Sequence, residues 1–583
     1  MSDPTPLPNL HLTWLGGPAP WRRIQSLEMV GTIKTSGLEG SFRATLTRDG
    51  CLRTELDLGV VKTTEVIRGD EGFELNMSGQ LEPMDEGKRR RTQRQSERIF
   101  QADLESDDWI VLGEEEKDGT TWTVLRREHD DGDQLDLFLD PDTGACTWTR
   151  RLEDTTVSWE RNDDWRSVGD VRIPFRQETH YPETPEGNST IEFETIRLDV
   201  DPPDETFAPP TPAKQASFGE PTWIDFDLHR KRHACLPARL DGHEAAALLD
   251  SGAGLTVLDK AFAAEHGIEG DGEITAMGVG GPSQATLVND LALELGSLRL
   301  TGVTAAIMDL ADIQRRLGRT LHVVVGKEVF QSAVVEIDYP SDRMRFHDPE
   351  GYRHDDDATT VPLIPSVDGL RQVELQVEDL PPARVHVDTG SGANLDLFAT
   401  FVDEHDLKKG RTVSTALSAG VGGDLESGVG TLRSLTFAGH RIEDVPIGFA
   451  SATLGAFHTK ELAGNMGTGL FRRFALTFDY SRDELHVRPG PDWDAPFERD
   501  RLGLNLLLQD DGALEVLHVA KGSPAETQGW SRGDRVTAID GQAVEADTWQ
   551  QQHDEAKRQP AGTEVSLTLA DGQERTLVLN DYY

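Results

Sequence analysis

Leu248-Leu249-Asp250-Ser251-Gly252-Ala253 and Val387-Asp388-Thr389-Gly390-Ser391 read as two copies of one loop. Each begins in a short β-prone run, residues 247–249 and 385–387, so each aspartate sits at the end of a strand. Glycine after the hydroxyl residue permits a tight turn and close backbone approach. The tripeptide alone is weak, because Asp, Ser, Thr and Gly are ordinary turn residues. Its surroundings decide the matter. Residues 258–268 are echoed by 397–407, with Phe262, Glu265 and His266 answered by Phe401, Glu404 and His405. Gly278-Val279-Gly280-Gly281 recurs as Gly420-Val421-Gly422-Gly423, and Gly326, Phe330, Asp338 and Tyr339 recur as Gly467, Phe471, Asp479 and Tyr480. All offsets fall between 138 and 142 positions, which marks a tandem duplication with small loop changes.

Two such loops facing each other place the carboxylates of Asp250 and Asp388 around one water. The hydroxyls of Ser251 and Thr389 are suited to bonding within or across the paired loops, and Gly252 and Gly390 give the close approach. The segments at residues 261–266 and 399–405 read as helices that follow each loop. The Gly-Val-Gly-Gly stretches read as hairpin tips flexible enough to close over a substrate, or as plain β-turns; their matched position in both copies favours flaps.

On these residues, and on Val324-Val325-Gly326 with Asn465-Met466-Gly467, each copy resembles one lobe of the retropepsin-like aspartic proteases. The resemblance spans residues 216–352 and 358–490. It implies two lobes forming a pseudo-dimer within one chain, with Asp250 and Asp388 as the catalytic pair and no cofactor or metal. Two departures fall in the second copy: its loop through Gly392, Ala393 and Asn394 to Leu395 is one residue longer, and Asn465 replaces an apolar residue. Two carboxylates in hydrogen-bond reach share one proton and titrate as a unit. The ionised member activates water and the protonated member donates to the scissile carbonyl; which aspartate is which stays open at this point.

Residues 498–581 resemble a bacterial PDZ domain through Leu502-Gly503-Leu504, Lys521-Gly522-Ser523-Pro524-Ala525, Gly533-Asp534-Arg535-Val536 and Ile539-Asp540-Gly541-Gln542. That resemblance implies peptide addition at a sheet edge, with loop amides around Leu502, Gly503 and Leu504 holding a C-terminal carboxylate. Substrate docking and a packing module with an empty groove are the two roles it leaves. Residues 10–212 alternate β-prone runs with turns, at 26–34, 41–47, 52–58, 121–127, 135–139, 146–152 and 189–200, as in an antiparallel meander. Gly169-Asp170-Val171-Arg172-Ile173-Pro174 and the Pro-rich close at 202–212 resemble the half-barrel of bacterial lipoprotein carriers. Such a sheet holds an acyl chain or serves as a spacer.

The fold class expected is therefore mainly β and multidomain: a half-barrel, two acid-protease lobes and an α/β PDZ domain. The partners expected are peptides or unfolded proteins, a C-terminal peptide at the PDZ domain and an acyl chain at the N-terminal domain. The chain holds 103 Asp and Glu against 58 Lys and Arg, a net charge of −45, which disfavours nucleic acid despite the cluster Lys88-Arg89-Arg90-Arg91 with Arg94. That cluster reads as a solvated loop or helix start. Lysine supplies only 13 of the basic residues, a balance that suits a saline setting and a salt-dependent stability. Cys51, Cys146 and Cys235 lie too far apart for a disulfide framework or metal-ligand spacing, and cations between His229 and His233 argue against a metal there. No apolar run is long enough to span a membrane. Met1-Ser2-Asp3-Pro4 does not open a signal peptide, although the domain company resembles that of the periplasm or cell envelope. A binding scaffold of the envelope, a retired protease pair holding peptide or lipid, is the alternative to an endopeptidase.

Overall fold

A computed structural model describes residues 7–84, 86–106, 108–153, 156–182, 185–212, 215–278, 281–355, 357–366, 369–450 and 462–583. The architecture is mainly β and multidomain. Two compact units divide the chain: Met1–Lys214 with Asp271–Thr275, and Gln215–Gly270 with Ala276–Tyr583.

Among its described residues the first unit forms one 13-stranded sheet whose neighbours pair antiparallel. Strands run in reverse chain order from Leu81–Pro83 to Ser26–Thr35, then from Ser189–Leu198 back to Ile110–Lys117. The seam is Ser26–Thr35 against Ser189–Leu198. Period-two alternation turns Leu27, Met29 and Ile33 inward. Leu27 and Met29 share a core with Leu12 and Trp21 of two short helices, Leu7–Trp14 and Pro18–Arg23, which the sequence reading did not anticipate. The basic cluster lies on a helix, Glu86–Ile99, and its charges are answered locally. Lys88 pairs with Glu65 and Glu74, Arg91 with Asp133, and Arg94 with Asp131 and Asp133. Of the solvated loop and the helix start expected there, the cluster takes the helix, and Lys88, Arg91 and Arg94 are half-buried in these pairs.

In the second unit the two copies fold alike. The strand before each aspartate, His243–Leu249 and Pro382–Asp388, pairs in parallel with a short apolar strand, Val323–Val325 and Gly464–Gly467 respectively. The strand after each loop, Thr256–Asp259 and Leu395–Leu397, runs antiparallel to that short strand and parallel to a long one, Leu298–Met308 and His440–Phe449. Helices Lys260–Glu265 and Ala399–Glu404 follow. The first is capped by Asp259, whose carboxylate accepts from the amides of Ala261 and Phe262 at 3.1 Å.

A separate six-stranded sheet joins the copies. Val334–Asp338 of the first pairs antiparallel with Phe474–Asp479 of the second, Val335 opposite Phe478. Across this seam Phe330 meets Phe478 edge to face, centroids 5.3 Å apart, and stacks on Tyr480. Each fully buried aromatic contributes about 1.5–3 kcal/mol of hydrophobic stabilisation, so the lobes share one core rather than touching at a polar contact.

The C-terminal part is a five-stranded path, Leu504–Leu508, Leu514–Val519, Arg535–Ile539, Glu564–Leu569 and Glu574–Val578, with the pair Gln542–Ala543 off it. Helix Trp549–Arg558 packs Trp549 and Ala556 into a core with Leu504, Leu514, Val536 and Leu567.

Candidate functional site

Each aspartate loop leaves a strand that pairs in parallel with a short strand of its own copy, and the two loops meet through their hydroxyl residues. Ser251 Oγ donates to the carbonyl of Val387 at 2.8 Å and accepts from the amide of Thr389 at 3.0 Å. Thr389 Oγ1 donates to the carbonyl of Leu249 at 3.0 Å and accepts from the amide of Ser251 at 2.9 Å. These four bonds are near-symmetric, and both hydroxyl residues are fully buried. A β-carbon at Gly252 would lie 2.7 Å from Asp388 Cγ, and one at Gly390 2.2 Å from Asp250 Cγ. Only glycine lets each loop approach the opposite carboxyl this closely.

Asp250 is pushed well above the usual carboxylate range by burial, then by the charge on Asp388 beside it, with hydrogen bonding between the two carboxyls adding to the rise. Their donors differ. Asp250 Oδ1 accepts from the Gly252 amide at 2.9 Å, and the Ala253 amide also faces its carboxyl. Asp388 Oδ1 accepts from the amides of Gly390 and Ser391, both at 2.9 Å, and its Oδ2 accepts from the Asn465 side chain at 2.8 Å. Strand pairing puts Asn465 opposite His386 and Val324 opposite Leu248, so Asn465 occupies the position of Val324.

A second polar replacement adjoins the first. Asp396 pairs with Asn465 as Val257 pairs with Val324. Room for its carboxylate comes from Gly448, where a β-carbon would sit 1.9 Å from Oδ1. Burial, and after it the charge on Asp388, pushes the Asp396 carboxyl up to about 6, while Arg232 pulls it the other way. Arg232 packs on the second loop, its Cβ 3.0 Å from where a Gly392 β-carbon would be, and the ring of His233 bonds the Gly390 carbonyl at 3.2 Å. Sequence reading had noted Asn465 as an exception and had missed Asp396. The signal was there, an acid inside Leu395-Asp396-Leu397 where the first copy has Thr256-Val257-Leu258.

The flap stretches meet. Strands Ser414–Gly420 and Gly423–Phe437 are joined by a two-residue tip, Val421-Gly422, with Gly420 opposite Gly423. In the first copy Asp271–Gly278 and Gly281–Leu295 form the hairpin, and Val279 and Gly280 lie outside the described residues. A β-carbon on Gly278 would be 2.2 Å from the Val421 carbonyl, and one on Gly422 2.3 Å from that of Gly281.

The C-terminal part touches both the second flap and the second loop's neighbour. Ser414 Oγ donates to the Lys521 carbonyl at 2.6 Å, Thr415 Oγ1 and the His518 ring bond at 3.0 Å, and Asn505 donates to the Leu417 carbonyl at 3.3 Å. Arg230, on the turn beside Arg232, makes a two-pronged bond to Asp554 of helix Trp549–Arg558 at 2.8 and 2.9 Å. At the Leu502-Gly503-Leu504 loop, the amides of Leu502 and Gly503 already donate to Asp500 Oδ1, both at 2.9 Å. Asp500 thus takes two of the amides that the sequence reading reserved for a ligand carboxylate.

Residues 236–329 match the family model described as aspartyl protease, and residues 493–570 match that of the PDZ domain. The chain carries an aspartyl protease domain and a PDZ domain. The matched protease span contains Asp250; Asp388 enters through the structural repeat just described. No curated protein matches the chain. Among solved structures it is similar to a DUF1329 family protein from Desulfovibrio piger ATCC 29098, at 14% identity over 35% of this chain and 95% of that one, TM-score 0.26. A putative outer membrane lipoprotein-sorting protein domain from Vibrio parahaemolyticus follows at 10% identity over 34% and 94%, TM-score 0.24. The LolA superfamily protein NE2245 from Nitrosomonas europaea follows at 14% identity over 32% and 91%, TM-score 0.24.

Proposed function

We propose that the protein is an aspartic endopeptidase that hydrolyses extended peptides with a water held between Asp250 and Asp388. The observation that carries this reading is the reciprocal Ser251–Thr389 network, which fixes two carboxyls in mutual hydrogen-bond reach at the end of two matched loops. A scaffold has no use for an electrostatically strained carboxyl pair held so tightly.

The unequal donor sets support a division of labour. Three N–H groups hold the Asp388 carboxyl in place, and Asp250 is the member that burial and its neighbour's charge keep protonated. Asp388 is therefore the base that takes a proton from water. Asp250, raised by burial and by its neighbour's charge, carries the shared proton and gives it to the scissile carbonyl oxygen. The products are a neutral tetrahedral intermediate and, after proton return, two peptide ends. The flap stretches close over the substrate, and Gly278, Gly281, Gly420, Val421, Gly422 and Gly423 lie at the tips.

The PDZ domain binds peptide and docks substrate beside the second flap, through the edge strand Leu504–Leu508. With Asp500 on the Leu502 and Gly503 amides, this domain is better suited to extended internal segments than to free carboxyl ends. Domain limits at 10–212, 216–352, 358–490 and 498–581 remain part of this proposal, as does acyl-chain holding by the first unit.

The test is cleavage of an unfolded protein between mildly acidic and neutral pH, with and without a transition-state peptide inhibitor of aspartic proteases. Inhibitor-sensitive cleavage is expected. Its absence across that range leaves the scaffold reading.

A further inference from the structure

His354, Glu484 and His486 converge on one point at the edge of the sheet that joins the two lobes, each offering a ligand atom within 4.8 Å of the others. Glu484 and His486 lie two apart on strand Glu484–Pro489 and so project from one face. His354 reaches them from residues 348–358, the segment between the lobes. Nothing about the dyad uses these side chains.

Three features of the cluster point to a cation rather than to an ordinary surface contact. First, His486 Nε2 and Glu484 Oε2 are 3.4 Å apart, without the geometry of a hydrogen bond. Two ligands about 2.1 Å from a tetrahedral ion are about 3.4 Å from each other. Second, Nδ1 of His486 lies 3.1 Å from Thr360 Oγ1, on the neighbouring strand Thr359–Pro362. With Nδ1–H donating there, the Nε2 lone pair is left facing Glu484, the outer-shell arrangement common to metal-bound imidazoles.

Third, the segment carrying His354 is held in place on both sides. Arg482 donates to the carbonyls of Pro349 and Tyr352 at 3.1 and 3.4 Å, and Arg488 pairs with Asp355 at 3.1 Å. The His354 and His486 rings then meet edge to face, centroids 4.4 Å apart. Both arginines have acidic partners, Asp479 for Arg482 and Asp355 for Arg488, so their charge is answered beside the cluster.

We infer that His354, Glu484 and His486 form a binding site for one Zn²⁺ ion, with water in the fourth position. Two imidazoles and one carboxylate are a donor set that Zn²⁺ accepts and that Mg²⁺ and Ca²⁺ do not favour. The ion ties the segment between the lobes to the sheet that joins them. Sequence reading expected no metal from the cysteines or from His229 and His233; His354 and Glu484 lie 130 positions apart and match no local spacing.

The experiment is titration of the full chain with Zn²⁺ by calorimetry and with Co²⁺ by visible absorption, alongside His354→Ala and Glu484→Gln. One ion per chain, an intense four-coordinate Co²⁺ spectrum displaced by Zn²⁺, and at least about tenfold weaker binding in both variants are expected. His354 is exposed, so its variant keeps the fold. The inference is overturned if the wild type binds no Zn²⁺. It is equally overturned if both variants bind as the wild type does, which would place the ion on other histidines such as the stacked pair His243 and His266.

Discussion

The Asn465 side chain donates to Asp388 Oδ2 at 2.8 Å, and the residue that occupies its place in the first lobe is Val324. The pseudo-symmetric pair of lobes is thus chemically unequal at its centre. Removing this donor leaves Asp388 Oδ2 without its side-chain partner and loosens the carboxyl that the water must meet. Asn465→Val is expected to lower kcat about tenfold, with little change in KM. An unchanged kcat would remove Asn465 from the mechanism.

Ser251 and Thr389 each make two buried bonds across the lobes, so truncation strands a partner on both sides. Ser251→Ala or Thr389→Ala should cost about 2–4 kcal/mol in denaturant unfolding, and Ser251→Thr markedly less. Equal costs for the Ala and Thr variants would mean that packing, not the hydroxyl, holds the loops.

Gly390→Ala places a methyl 2.2 Å from Asp250 Cγ, against a rigid loop and a fixed carboxyl. Activity should fall at least about a hundredfold while circular dichroism stays unchanged. Gly254, with open space around it, is the control, and Gly254→Ala should cleave normally.

Asp396 holds its proton to about pH 6 in the folded protein, whereas an unfolded aspartate releases it near 3.9. The folded state binds the proton more tightly, so the associated stability is complete below about pH 4 and disappears as pH rises through 6. Asp396→Asn should therefore raise Tm relative to the wild type at pH 7.5, and the gap should close at pH 4. A gap independent of pH would show that the carboxyl is not strained.

Much of this was legible in the sequence because the duplication preserves local register. Each Asp-hydroxyl-Gly loop, its strand, its following helix and its glycine tip lie within about 40 residues, and comparison of the copies separates signal from ordinary turns. The sheet that joins the lobes was not legible. It pairs Val335 with Phe478, and strands buried on both faces carry no alternation to set their partner. Asp500 shows another limit: the Leu502-Gly503-Leu504 pattern reveals a loop with free-looking amides, while the carboxylate that takes them is two residues upstream, inside the 498–581 span but outside the quoted pattern. Strands Lys62–Arg68, Glu71–Leu75 and Ile110–Lys117 were missed for their high charge, which masks the β period.

The most direct test of the account is the rate of inhibitor-sensitive cleavage of an unfolded protein by Asp250→Asn and by Asp388→Asn, each checked for an intact fold. The two-carboxyl account predicts at least about a thousandfold loss in each variant taken singly. Normal turnover by either one would contradict it.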